Sequence, residues 1–237
     1  MKEIDKVESD LMSLGDSNYI KFQVSYFAAF SGGYGEGDLF YGVKVPVLRK
    51  YLKDKEYNQQ QLDDLFASKF HETRFLGLLA LLRSFSKASV DEKERLFRYY
   101  LQMVKNGFIN NWDMIDLSAP LMGSIFIQIP EDFKRYSYLS QSKNVWERRL
   151  HIMLAFAFKS NNVELALYAC RLAINDSDKL VTKPAGWLIR EVGKYNKEAF
   201  YSFLNSHYSD MPRESLRYAI ERLDSSERNS WLRKSPT

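Results

Sequence analysis

The sequence predicts an all-α fold built from repeated helical units, and three observations support it. Apolar residues recur at helical spacing along nearly the whole chain, and sustained period-two alternation is absent. The chain has 237 residues, 45% of them hydrophobic, enough for one substantial core or one elongated array. The third observation is spacing. Trp112, Trp146 and Trp187 follow one another at intervals close to the length of a two- or three-helix repeat. Together these point to a curved α-solenoid of HEAT-like helical repeats, an α-α superhelix that presents an extended concave face. With 11 Gly and 6 Pro and no Ser/Gly/Pro-rich linker, residues 1–237 read as a single domain.

The elements follow in chain order. Tyr19 to Phe30 reads as an aromatic-rich helix. Ser31 to Gly42 breaks the pattern, with five glycines in twelve residues, and reads as a loop. It lacks the Lys-Ser/Thr that a phosphate-cradling nucleotide loop requires, so no nucleotide cofactor is expected, and the segment is expected to be mobile or to face DNA. Phe75 to Leu82 is apolar almost all round, as in a helix buried between neighbours. Arg148 to Phe158 and Glu164 to Ile174 form a helical pair joined by the short turn Lys159-Ser160-Asn161-Asn162, which implies antiparallel packing. Pro46, Pro130, Pro184 and Pro212 are each placed near a helix start, where the missing N–H costs nothing.

Composition bounds the chemistry. The one cysteine, Cys170, lies in an apolar run, so no intrachain disulfide forms and a buried thiol is expected. No signal-peptide core or bilayer-length apolar run is present, and the expected location is cytoplasmic. The three histidines, His71, His151 and His207, lack metal-ligand spacing, and Arg74 stands where a zincin would carry its second histidine, so neither a metal nor a cofactor is expected. The net charge is +4, but Lys134 to Arg190 holds ten basic residues against four acids, leaving the rest net acidic. A basic region on an otherwise acidic chain suggests a polyanionic partner.

Three segments stand out for chemistry. In Asn110-Asn111-Trp112-Asp113-Met114-Ile115-Asp116, Trp112 and Asp116 lie four residues apart and project from one helical face, an indole beside a carboxylate. Asn110 or Asn111 suits a cap, and Asp113 suits the first turn as a helix-stabilising acid. Asp116 lies deeper, where capping does not account for it. Asn144-Val145-Trp146-Glu147-Arg148-Arg149 sets adjacent arginines at a helix start, suited to phosphate contact. In Lys183-Pro184-Ala185-Gly186-Trp187, a glycine beside the tryptophan permits close approach of a neighbouring helix or a ligand.

These segments carry a family resemblance. Gly42-Val43-Lys44-Val45-Pro46, His71-Glu72 before a Leu-rich helix, Asn110 to Asp113 with Asp116, Trp146 with Arg148-Arg149, and Gly186 to Glu191, in that order, resemble the AlkD-like DNA alkylation repair family from about Tyr26 to Arg222. The resemblance implies a C-shaped stack of HEAT-like repeats. It also implies excision of alkylated purines such as N3-methyladenine and N7-methylguanine from double-stranded DNA; separately, nothing in the sequence demands more than a monomer. Asp116 matches the catalytic carboxylate, and Trp112 and Trp187 match the aromatics that contact the lesion's deoxyribose. Arg149 matches the DNA-contacting arginine, with Arg148 as its alternative in register. Tyr26 matches a site-lining aromatic, Lys44 stands where other members carry a different polar residue, and Lys183 and Arg190 complete the candidate DNA-binding cations. The alternatives are a family member that binds DNA structures without excising bases, and a HEAT-like protein-interaction scaffold.

Overall fold

A computed structural model describes residues 3–234. The described residues are all-helical, with fourteen α-helices, three short 3-10 segments and no strand. By compactness the chain divides into two units, Met1–Met114 and Ile115–Thr237.

In the first unit, α1 (Glu3–Ser13), α2 (Ser17–Tyr26), α3 (Val45–Leu52), α4 (Gln59–Phe66), α5 (His71–Lys87) and α6 (Val90–Lys105) precede α7 (Trp112–Met122), in which the division falls. Helix α5 is the centre: α1, α3, α4 and α6 all pack on it. Thirteen of its seventeen residues are buried, including every one from Phe75 to Leu82, as the apolar run predicts. A fully buried leucine such as Leu76, Leu78 or Leu81 contributes roughly 1.5–3 kcal/mol relative to exposure. Gly77 lets α4 approach, since a Cβ there would sit 3.1 Å from that of Leu65.

Helix α2 is shorter than expected. Asp16 caps its start by accepting from the Asn18 N–H, but the helix ends at Tyr26 rather than Phe30, because Ala28 takes a positive φ of 47°. The chain then folds back on the helix end so closely that a Cβ on Gly33 would lie 1.9 Å from the Ala28 carbonyl oxygen. Glycine at that position is a steric requirement.

In the second unit, α7 leads through a 3-10 turn to α8 (Pro130–Lys134) and, after another, to α9 (Val145–Leu154). Helices α10 (Val163–Ala173), α11 (Lys179–Val192), α12 (Lys197–His207), α13 (Arg213–Ala219) and α14 (Ser225–Arg233) follow. Helix α11 is the hub here, packing on α9, α10, α12 and α13. Gly186 makes the α13 contact possible: a Cβ would fall 2.2 Å from the Ser215 carbonyl oxygen. Pro46 and Pro130 do stand in first turns, and Pro212 is an N-cap. Pro184 is the exception. Asp178 caps α11 and the helix begins at Lys179, which puts Pro184 in its interior. Cys170 is fully buried in α10, where burial raises its thiol pKa. No helix among the described residues is long and apolar enough to cross a membrane.

Candidate functional site

Each unit builds its share of the candidate residues separately. In the first, the aromatics gather about Trp112, the opening residue of α7, whose N–H is held by the Asn111 side chain at 2.9 Å. Tyr26 meets the indole edge-on with ring centres 5.2 Å apart, and Phe27 lies 5.8 Å away. The indole Nε1–H donates to the Tyr34 hydroxyl at 3.1 Å, and that hydroxyl lies 3.2 Å from the Tyr26 carbonyl, to which it donates. The indole N–H is thus engaged within the unit. Tyr26 also continues a ladder along α2, stacking on Phe22 at 5.0 Å, which stacks on Tyr19 at 5.4 Å. Phe22 and Tyr26 are half exposed, and Lys44 lies over the Tyr19 ring at 5.3 Å. Neither α2 nor α3 carries an acidic residue.

Beneath the aromatics lies a buried charge network that fastens the glycine-rich segment. His71, the first residue of α5, bridges two carboxylates: Nδ1 lies 3.2 Å from Asp38 and Nε2 2.9 Å from Asp113. Burial alone would lower the histidine pKa, but the Asp113 charge and the hydrogen bonds to both acids raise it to about 9. Burial likewise would raise the Asp38 carboxyl, and the His71 hydrogen bond with the Arg74 charge reverses this and holds it low. Arg74 Nη2 reaches Asp38 at 2.6 Å, while its other nitrogens reach the Phe108 and Ser68 carbonyls. Glu72, 1% exposed, accepts from the backbone N–H groups of Tyr41, Gly42 and Val43 and from the Gln23 side chain. Lying in the first turn of α5, its carboxylate also faces the favourable end of the helix dipole. The 31–42 segment, expected to be mobile or DNA-facing, is therefore tied down at Asp38 and at residues 41–43 by α5.

In the second unit the central feature is Asp116. Arg149 grips it with one edge of the guanidinium, Nε to Oδ1 at 2.8 Å and Nη2 to Oδ2 at 2.6 Å, and gives Nη1 to the Leu180 carbonyl. This planar two-bond geometry is the strongest form of such a pair. Arg149, expected as the DNA-contacting arginine, is only 6% exposed and pairs with this carboxylate. Arg148 is engaged too, with Asp176 at 2.7 Å and with the Ser142 carbonyl. Lys183 pairs with Glu214, and Arg190 with Glu221. Arg149, Lys183 and Arg190 thus meet acids that lie outside the basic region 134–190. Trp187, part exposed on α11, packs edge-on against Phe156 with ring centres 4.6 Å apart. Trp146 is buried, a core residue.

Sequence reasoning missed Tyr34, Phe156 and the Asp38–His71–Asp113 bridge. Tyr34 sat inside a segment whose glycines drew the attention. Phe156 lay in an apolar run, and nothing in a single sequence pairs residues 33 or 42 positions apart. Among the described residues no group of His, Cys, Asp and Glu is arranged to hold a metal ion.

Comparison with known proteins accords with this architecture. The family model described as DNA alkylation repair enzyme matches residues 7–223. A solved structure described as a predicted DNA alkylation repair enzyme from Enterococcus faecalis superposes with a TM-score of 0.68, covering 89% of this chain and 97% of its own, at 15% identity, a likeness of fold. No curated protein matches the chain. With a family match that spans nearly the whole chain, and with the ordered motifs set on the helices just described, the protein belongs to the AlkD-like family of DNA alkylation repair enzymes.

Proposed function

We propose that the protein is a monofunctional DNA glycosylase that hydrolyses the N-glycosidic bond of cationic alkylated purines, N3-methyladenine and N7-methylguanine, in duplex DNA. The observation that carries the reading is the two-bond Asp116–Arg149 pair. It supplies a carboxylate in one fixed orientation.

An alkylated purine that already bears positive charge leaves without a strong general acid. The C1′–N bond breaks, its electron pair neutralises the base, and positive charge develops on the sugar. A preoriented carboxylate stabilises that charge as it forms, by the logic of glycoside hydrolysis. Water then adds to C1′, and Asp116 orients it and receives its proton. Trp112 and Trp187 serve as electron-rich surfaces for the cationic base and sugar, each worth roughly 0.5–2 kcal/mol. The Trp112 N–H already belongs to Tyr34, which leaves that indole to recognise charge rather than a hydrogen-bonding edge. Arg149 acts through Asp116. Tyr26, at the end of α2, and Lys44, the N-cap of α3, are the proposed DNA contacts of the first unit, and the protein acts as a monomer.

The test is release of 7-methylguanine from alkylated duplex DNA. Wild-type protein is expected to release it, and Asp116→Asn to lose about 10²–10³ in rate, the size typical of removing one preorganised electrostatic group. Salt-sensitive duplex binding with no release would replace this reading with the non-excising one.

A further inference from the structure

We infer that Pro184 is a positioning residue for Asp116, acting by leaving the Leu180 carbonyl to Arg149. The inference rests on the proposed role of Asp116.

In an α-helix each N–H donates to the carbonyl four residues earlier. For position 184 that carbonyl is Leu180. Proline has no N–H, and at the sixth residue of α11 it stands beyond the first turn, where a missing donor would go unnoticed. The helix nonetheless continues to Val192. The Leu180 oxygen is occupied instead by Arg149 Nη1. The same guanidinium holds Asp116 through Nε and Nη2. Three donors of one rigid plane are therefore fixed at once, two by the carboxylate and one by a carbonyl that the proline has withheld from its own helix. A planar group held at two separate anchors cannot swing about the first. A residue with an N–H at 184 would compete for the Leu180 oxygen and loosen the second anchor of Arg149.

A merely structural proline and a positioning one predict different things for Pro184→Ala. Alanine restores a helical hydrogen bond and removes the steric conflict of an interior proline, so the melting temperature is expected to hold or rise. The Asp116 carboxyl, followed by 13C NMR during titration, is expected to titrate higher than in wild type, because its cationic partner is less firmly held. Single-turnover release of 7-methylguanine is expected to fall roughly three- to tenfold with duplex affinity unchanged, the signature of a contact that matters in the transition state. Arg149→Lys keeps the charge but loses the fork, and adding Pro184→Ala to it is expected to change little further, since the two act as one unit. An unaltered Asp116 titration in Pro184→Ala overturns the inference. So does a variant with a lowered melting temperature and wild-type titration, which would make Pro184 structural only. If wild-type protein releases no base, the glycosylase reading falls, while the carboxyl titration still decides what Pro184 does.

Discussion

Each unit buries a histidine, and the two are treated in opposite ways. His71, 2% exposed, lies between Asp38 and Asp113 and is held as a cation, its pKa raised to about 9. His151, fully buried, stacks on Phe133 at 5.1 Å, has no hydrogen-bond partner at either ring nitrogen among the described residues, and is pushed down to about 4 by burial. The same side chain is thus a charged tie in one unit and a flat apolar filler in the other. Burial does not decide the charge of a histidine; the acids that the fold brings to it do.

The sharpest way to break the comparison is to open the charged network. Arg74→Met leaves Asp38 buried with His71 as its remaining cation and abandons the Phe108 and Ser68 carbonyls. The expected loss is about 3–5 kcal/mol, the scale for removing one partner of a buried ion pair. Chemical denaturation with urea measures it.

The next effect is pH dependence, and the two histidines give it opposite signs. The His71 pKa is raised on folding, so its contribution is complete below pH 6.5 and is lost as pH rises from there through about 9. The His151 pKa is depressed, so the unfolded chain binds the proton first, and stability is lost as pH falls from 6.5 toward about 4. Each limb is worth about 3 kcal/mol at its full extent, near 1.4 kcal/mol per pKa unit. Urea unfolding between pH 4 and 9 is expected to show His151→Leu flattening the acid limb with little cost at pH 7, because leucine removes two ring nitrogens that had no partner. His71→Leu is expected to flatten the alkaline limb and to destabilise at every pH below it, since two buried carboxylates lose their bridge. Equal pH profiles for the two variants would refute the contrast.

What could be read in the sequence divides along the same line. Local pattern was legible: the Phe75–Leu82 run announced the core of α5, and Trp112 and Asp116 did fall one turn apart in one helix. Asp113 was legible in part. It occupies the first turn of α7 as expected, but its second oxygen belongs to His71. The family motifs brought in Trp187 and Arg149 without saying that Arg149 faces a carboxylate. The misreadings share a cause. Phe30 looked like helix because apolar spacing runs on through Phe27, which in fact packs stacked on His71 and Phe40 after the helix has ended. Pro184 looked like a helix start because a lone chain gives no hint that an arginine 35 residues away takes up the freed carbonyl. Periodicity encodes neither the left-handed turn at Ala28 nor a partner remote in sequence.

The smallest expected effect tests how the charged network serves the proposed site. The network holds the glycine-rich segment at Asp38 and at residues 41–43, and that segment carries Tyr34 to the Trp112 indole. Tyr34→Phe keeps the ring and removes the hydroxyl that accepts from Trp112 Nε1 and donates to the Tyr26 carbonyl. Its cost in stability is expected to be about 1 kcal/mol, that of an ordinary hydrogen bond in a part-exposed setting. If the hydroxyl orients the indole, base release is expected to fall about two- to fivefold through kcat rather than KM, with a shift in tryptophan fluorescence, because a ring free to turn presents its face less often to the developing cation. A loss confined to stability would make Tyr34 part of the segment's packing only. A loss in KM alone would make its hydroxyl a DNA contact, which its engagement by Trp112 and Tyr26 argues against.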